Sequence, residues 1–327
     1  MPANLPPQYK EAERAYREAK TPQAKIEALE RMLAVMPHHK GTDHLRAELR
    51  TRLAKLTQEV ERQQRASGGR MHLYTVRKEG AGQAVLVGLP NVGKSALLRA
   101  LTGAPAKVAE YPYTTQLPQP AMMPFEDIHV QIVDVPPVAP GETPGWLRGL
   151  LSQADLLLLV VDLGGDPLAA LAALRAELAA FGMQPSAPDA TPEEGELMPK
   201  RALVVATKRD LPGAEDTAAL LALELGARLP LIAVSAERGD GLGELRRRIV
   251  AALDVVRVYT KPPGRPPDLA RPFVLRRGAT VDDLAAPIHH DLRAKLKYAL
   301  LWWPNRAAMR VGRQYVLEDR DIVELHA

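Results

Sequence analysis

The sequence predicts an α/β protein. A central domain with a mostly parallel sheet follows an N-terminal helical unit and precedes a small C-terminal α+β domain. Three observations lead there. Apolar positions recur at helical spacing through residues 8–66. From about residue 84, short apolar runs alternate with helical stretches, the pattern of a parallel sheet covered by helices on both faces. Beyond a proline-rich stretch at 261–267, the remaining residues read as short strands and one helix.

The helical region, residues 1–70, carries Ile26, Leu29, Met32 and Leu33, then Leu45, Leu49, Leu53 and Leu56, on helical faces. Thr21 before Pro22 reads as an N-cap with proline at the first helical position. Pro37 and Gly41 break the chain before Thr42 starts another helix, which implies a helical hairpin or a three-helix unit. Arg46, Arg50, Arg52 and Lys55 give the last helix a basic character, and Ser67-Gly68-Gly69 reads as a hinge. Residues 71–256 form the central domain, with strands expected at 84–87, 128–133, 156–161, 202–206 and 231–234. Helices are expected at 94–101, 167–181, 217–225 and 241–256. Residues 184–200, rich in Pro, Ser and acid, read as a surface loop. Residues 261–267 (KPPGRPP) read as a stiff linker. In the last domain, 257–327, strands are expected at 272–275, 309–311 and 322–325 and a helix at 281–298.

Composition narrows the function. The 327 residues are 46% hydrophobic and 25% charged, which excludes a disordered chain, and cysteine is absent, which excludes a disulfide framework, thiolate metal sites and a cysteine nucleophile. No apolar run approaches the ~20 residues of a membrane span, and residues 1–16 hold no signal-peptide segment; a cytoplasmic protein is expected. The net charge of +4 divides into +5 over residues 1–70, −6 over 71–256 and +5 over 257–327. Basic flanks suit a polyanionic partner, and solvated helix faces explain them equally well.

Gly88-Leu89-Pro90-Asn91-Val92-Gly93-Lys94-Ser95 matches the phosphate-loop pattern G-x-x-x-x-G-K-[ST], after one expected strand and at the start of one expected helix. This marks the central domain as a P-loop NTPase. The loop amides from Gly88 through Ala96 would curl around a phosphate at the positive end of the helix. Lys94 would neutralise β/γ oxygens and Ser95 would ligate Mg²⁺. Thr207-Lys208-Arg209-Asp210 follows the fourth expected strand. A carboxylate at Asp210 accepts two hydrogen bonds from guanine N1–H and N2–H₂, a donor pair adenine lacks, which argues against an ATPase. The stem of Lys208 would lie over the base. Ser235-Ala236-Glu237 ends the next strand, where the Ala236 amide would reach guanine O6. Asp134 closes the strand at 128–133 as a candidate second-shell Mg²⁺ ligand. Thr114 and Thr115 lie where a mobile segment would supply a metal-binding hydroxyl, with Thr115 favoured.

GLPNVGKSALLRALTG, YPYTTQLP, VDVPP, TKRD and SAERGDGL, in that order, resemble the Obg/DRG group of translation-factor-related GTPases. Residues 257–275, the expected helix 288–302 and residues 311–325 resemble the TGS domain of DRG proteins, and residues 38–56 resemble their N-terminal helices. The resemblance implies a ubiquitin-like β-grasp fold for the last domain. It also implies a cytosolic GTP/GDP switch acting on ribosomes or ribosome-associated RNA, with Asn91, Lys94, Ser95, Thr115, Asp134, Lys208, Asp210 and Ser235 carried over. Asn91 is the position that helps hold K⁺ in potassium-activated members. Neither DNA nor a membrane is implied.

Four departures stand out. Pro137 replaces the glycine of D-x-P-G, and proline has no N–H to donate to a γ-phosphate. Val138 stands where Ras-like enzymes place a water-orienting glutamine. The long insert of DRG proteins is expected to be replaced by the loop around 184–200. Thr207 replaces asparagine. These changes leave open an alternative in which the protein is an RNA- or ribosome-binding scaffold with little hydrolysis. Lys295, Tyr298, Trp302 and Trp303 fall close together near several arginines, as in a surface that binds RNA phosphates and stacks bases; at least one of the two tryptophans is expected in the core instead. His38-His39 and His289-His290 lack metal-ligand spacing and read as surface residues.

Overall fold

The computed structural model describes residues 7–18, 22–36, 43–66, 75–103, 117–139, 143–190, 197–226, 228–288, 290–303 and 307–327. The chain divides into two compact units. In the first, α1 (Pro7–Glu18), α2 (Pro22–Val35) and α3 (Asp43–Ala66) surround Tyr9, Ala12, Leu29, Met32, Met36 and Leu49. Arg46 does not join the basic face expected of α3. It is buried and donates to the Met36 carbonyl at 3.0 Å, satisfying a backbone acceptor beyond the end of α2. Thr21, Thr42, the Ser67–Gly69 hinge, His38, His39 and His289 lie outside the described residues.

The second unit holds two sheets. The larger is built on β1 (Gln83–Gly88), β3 (Ile128–Asp134), β4 (Leu156–Asp162) and β6 (Met198–Thr207), which pair in parallel. Their apolar runs are buried on both faces, as central parallel strands require. β7 (Leu231–Ala233) pairs with the later half of β6. α4 (Lys94–Thr102), α6 (Pro167–Ala180), α7 (Ala214–Leu225) and α8 (Leu242–Leu253) occupy the connections. Asp166 caps α6 by accepting the Ala169 amide at 2.9 Å, with Pro167 in the first turn.

Several elements differ from expectation. β2 (Gln119–Phe125) pairs antiparallel to β3 at the sheet edge, where Pro120 and Pro124 are tolerated because one side needs no ladder donor. α5 (Leu147–Gln153) is a short helix with Leu147, Leu150 and Leu151 buried. The stretch at 184–200 is not simply a loop: β5 (Met183–Ser186) pairs with the start of β6, from Met183 opposite Met198 to Ser186 opposite Arg201. α8 ends at Leu253 because Asp254 takes a left-handed φ of 55° and the chain turns into β8 (Val255–Thr260). β8 runs across the position expected to divide the central and last domains.

The smaller sheet has the order β11–β10–β12–β8–β9, from β9 (Asp268–Arg276), β10 (Tyr298–Trp302), β11 (Met309–Val311) and β12 (Asp321–His326). β12 and β8 are parallel and the other pairs antiparallel. The proline-rich residues 261–267 are therefore a hairpin loop between β8 and β9, closed by Thr260 opposite Asp268, and not a linker. The expected helix over 281–298 and on to 302 is shorter: α9 (Val281–Ile288) and α10 (His290–Lys295) end before β10, whose backbone is taken up by ladders to β11 and β12. Alternation within β10 sends Ala299 and Leu301 into a core with Val256, Val258, Leu284 and Val323. Trp303 packs against this core, whereas Trp302 lies on the other face with Lys261 Nζ 4.2 Å from its ring centroid.

Candidate functional site

The site is assembled at the carboxyl ends of β1, β3, β4, β6 and β7, where open parallel sheets expose the loops that follow their strands. β1 delivers the phosphate loop. Gly88 is required by close approach: a Cβ there would lie 2.7 Å from the Val160 carbonyl oxygen and 2.8 Å from a Val92 methyl. Asn91 and Gly93 take φ values of 63° and 88°, which bend the loop back over the start of α4. Pro90 and Asn91 are exposed, Val92 is buried beneath them, and Ala96 is half-buried in the first turn of α4.

Lys94 is 7% exposed, and its ammonium donates to the carbonyls of Gly88 at 3.0 Å and Leu89 at 3.1 Å. Burial pushes its pKa down, against the attraction of Asp134. The Ser95 hydroxyl donates to Asp134 Oδ2 at 2.6 Å. Asp134 is almost wholly buried, which raises its pKa against the Ser95 hydrogen bond and the Lys94 charge. Its Oδ1 has no hydrogen-bond partner among the described residues. A buried carboxylate oxygen without a donor, next to a hydroxyl at a phosphate loop, suits a hydrated divalent cation: water from the ion's shell would supply the missing donor. Thr115 and Thr114 lie outside the described residues, so Ser95 and Asp134 alone speak for this fit.

Thr207, expected beside the nucleotide, is buried. Its hydroxyl lies 2.7 Å from the Val92 carbonyl and 3.1 Å from the Val161 carbonyl, tying the phosphate loop to β4 and β6. Lys208 follows with a left-handed φ of 60° and forms an ion pair with Asp162, Nζ to Oδ2 at 2.5 Å. Asp210 is half-buried, and a hydrogen bond with Ser235 is the foremost cause that holds its carboxyl below the usual range. Ser235 is fully buried at the end of β7, its Oγ accepting the Arg238 amide at 3.0 Å, and Ala236 follows it half-buried. The structure thus brings the residues 88–96, 134, 207–210 and 235–236 to one rim.

One participant escaped the sequence reading and another was read in a different role. Asp162 ends β4 beside β6, and the strand-end rule that marks Asp134 marks it equally. Val138 was read as a replaced catalytic position, but it is buried in the core, and its amide donates to the Gly88 carbonyl at 3.1 Å. The segment after Asp134 is therefore fastened to the phosphate loop. Farther along, the Thr143 hydroxyl lies 3.0 Å from Glu177 of α6.

Comparison with known proteins fits this geometry. Residues 83–190 match the family of 50S ribosome-binding GTPases, and residues 256–327 match the TGS domain. An uncharacterized GTP-binding protein of Methanocaldococcus jannaschii is 28% identical over 92% of this chain and 91% of its own length. Developmentally-regulated G-protein 1 of Arabidopsis thaliana is 29% identical over 92% and 90%. The chain thus joins a GTPase domain to a C-terminal TGS domain, and along most of its length it is similar to DRG-type GTP-binding proteins. The fold is shared with a GTP-binding protein from Pyrococcus horikoshii OT3, with a TM-score of 0.53 at 18% identity over 75% of this chain and 99% of that one. The alignment to the archaeal relative runs over 364 positions, more than the 327 residues here, so this chain lacks segments that its relative carries.

Proposed function

We propose that the protein hydrolyses GTP to GDP and phosphate and works as a switch on ribosomal RNA. One observation carries the reading most directly: Lys94, Ser95 and a buried Asp134 with a partnerless oxygen meet at the mouth of the phosphate loop. In this reading residues 71–256 bind the nucleotide, while residues 1–70 and 257–327 dock it. Asp210 reads the guanine edge, Lys208 lies along the base, and the Ala236 amide meets O6, with Thr207 and Ser235 bracing them. Ser95 and Thr115 would ligate Mg²⁺, with Asp134 bonding the ion's water shell, and the ion would offset the negative charge of the β and γ phosphates. Asn91 is the candidate K⁺ ligand.

The chain's own contribution to the reaction is positioning and charge. The Lys94 ammonium leaves its carbonyl partners for phosphate oxygens, which replace a neutral acceptor by an anionic one. Water attacks the γ-phosphorus in line, the bond to the β–γ bridging oxygen breaks, and GDP leaves with that electron pair. Val138 is an apolar side chain buried in the core and offers no group to orient the water, so turnover is expected to be slow without a partner. The description of the matching family as ribosome-binding, and the basic flanks, support a ribosomal partner in the cytoplasm. Among the described residues no helix is long and apolar enough to cross a membrane.

A second reading has its own observation. Pro137 lacks an amide proton, and Val138 is fastened to Gly88, so the segment that would sense a γ-phosphate is held still. The protein is then a scaffold whose nucleotide is structural. GTP hydrolysis in matched KCl and NaCl, with and without ribosomes and with Lys94→Ala as blank, decides between them. Turnover that rises in K⁺ or with ribosomes supports the switch; tight binding without turnover in every condition supports the scaffold.

A further inference from the structure

We propose that Asp162 is a positioning residue for base specificity: it holds the Lys208 ammonium away from Asp210, leaving the Asp210 carboxylate free for guanine. The inference rests on the guanine-reading role proposed above for Asp210.

Asp162 is the last residue of β4 and lies in register with Thr207, the residue before Lys208. One of its carboxylate oxygens accepts the Gly164 amide at 2.8 Å, which fixes the direction of the group. The other accepts Lys208 Nζ at 2.5 Å. The lysine backbone is set as well: its φ is 60°, and its carbonyl accepts the Leu211 amide at 3.1 Å, closing the turn that carries Asp210. Asp210 stands two residues after Lys208 on this turn, and Ser235, with lesser effects from the charges of Arg238 and Lys208, holds its carboxyl below the usual range.

One flexible ammonium therefore lies within the influence of two carboxylates, and the structure assigns it to Asp162. This matters because guanine presents two parallel donors, N1–H and N2–H₂, which need both oxygens of one carboxylate. An ammonium bonded to Asp210 would occupy a lone pair that the base requires. Neutralising Asp162 leaves Lys208 with Asp210 as the carboxylate nearest in sequence on its own turn. The consequence is a loss of discrimination between bases, distinct from a general loss of affinity.

Inosine diphosphate isolates the effect, since it differs from GDP only in lacking the 2-amino group. Calorimetric titration of the full chain with both nucleotides gives an affinity ratio for each variant. Asp162→Asn is expected to lower the GDP-to-inosine-diphosphate ratio about tenfold, the worth of one hydrogen bond to a charged group. Adding Lys208→Met to Asp162→Asn is expected to restore the ratio, because the competing ammonium is gone. Asp162→Glu, which keeps a carboxylate for the Lys208 ammonium, is expected to keep the wild-type ratio, a result that remains readable even where Asp162→Asn fails to fold. Asp210→Asn separates the two levels of the argument. An unchanged ratio in Asp210→Asn overturns the guanine site and the role of Asp162 with it. A lowered ratio in Asp210→Asn, with Asp162→Asn keeping the wild-type ratio or losing both nucleotides equally, overturns the role of Asp162 alone. So does a double variant that stays unselective, or an Asp162→Glu variant that folds and loses the ratio.

Discussion

Arg257 of the smaller sheet places a guanidinium nitrogen 2.9 Å from Asp127, the residue that turns β2 into β3. The same side chain, 11% exposed, also bonds Asp319 of its own domain and Glu126 of the turn. Arg320 adds a second bond to Glu126 at 2.9 Å, and the Tyr259 hydroxyl donates to Asp127. The clasped hairpin ends at Asp134, so a contact of the TGS domain bears on the strand that presents the candidate metal-site carboxylate.

Arg257→Ala should free this hairpin. Hydrogen exchange over residues 119–134 is expected to speed up, and calorimetry should show a midpoint lower by about 3 °C. Arg257→Lys should recover little of it, because an ammonium cannot fork between three carboxylates. Exchange equal to wild type in Arg257→Ala would mean that the clasp is ornamental.

Thr207→Val keeps shape and removes a buried hydroxyl that reaches the Val92 and Val161 carbonyls. The single O–H proton shared by these two carbonyls is lost, at a cost of about 1–2 kcal/mol. GDP affinity should fall as the phosphate loop loses its tie to β6, and Thr207→Ser should retain most of it. Equal GDP affinities for Thr207→Val and wild type would remove this tie from the account.

Pro137→Gly restores the amide that D-x-P-G sequences offer, so it should raise the preference for a non-hydrolysable GTP analogue over GDP. Val138→Gln should not speed hydrolysis: the position is buried in the core, and an amide there lacks partners, costing about 1–3 kcal/mol of stability. Single-turnover rates and urea midpoints of both variants test the pair, and a faster Val138→Gln enzyme would show that the side chain reaches the water after all.

Burial, reinforced by Glu27, raises Glu30 in α2 from 4.5 to about 7. Between these values the folded helices keep a proton that the unfolded chain has released. Their stability therefore falls as pH rises through this range and is lowest above pH 7. Glu30→Gln removes the penalty. Protease cleavage within residues 22–36, compared with wild type at each pH, should be equal near pH 5 and slower in the variant at pH 8. No difference at pH 8 would remove Glu30 from the balance.

The phosphate loop, the strands β1, β3, β4 and β6, and the residues 207–210 and 235–236 were legible in the sequence. Their signals are local: a contiguous glycine-and-lysine spacing, an apolar run long enough for one buried strand, a polar group at a strand end. Pairing decided the rest. Residues 298–302 continue a helical pattern and became β10 only because β11 and β12 offered ladders on both sides. The prolines of 261–267 read as a linker until β9 folded back on β8. The prolines of β2 concealed an edge strand. Arg46 reads as part of a basic helix face and Thr207 as a nucleotide contact, yet each is buried against a carbonyl contributed from elsewhere in the chain. Asp162 and Lys208 stand 46 positions apart. A sequence specifies which backbone shapes and chemical groups are available. Which donor meets which acceptor, and which charge is withdrawn from water to meet it, is decided when distant segments pack together.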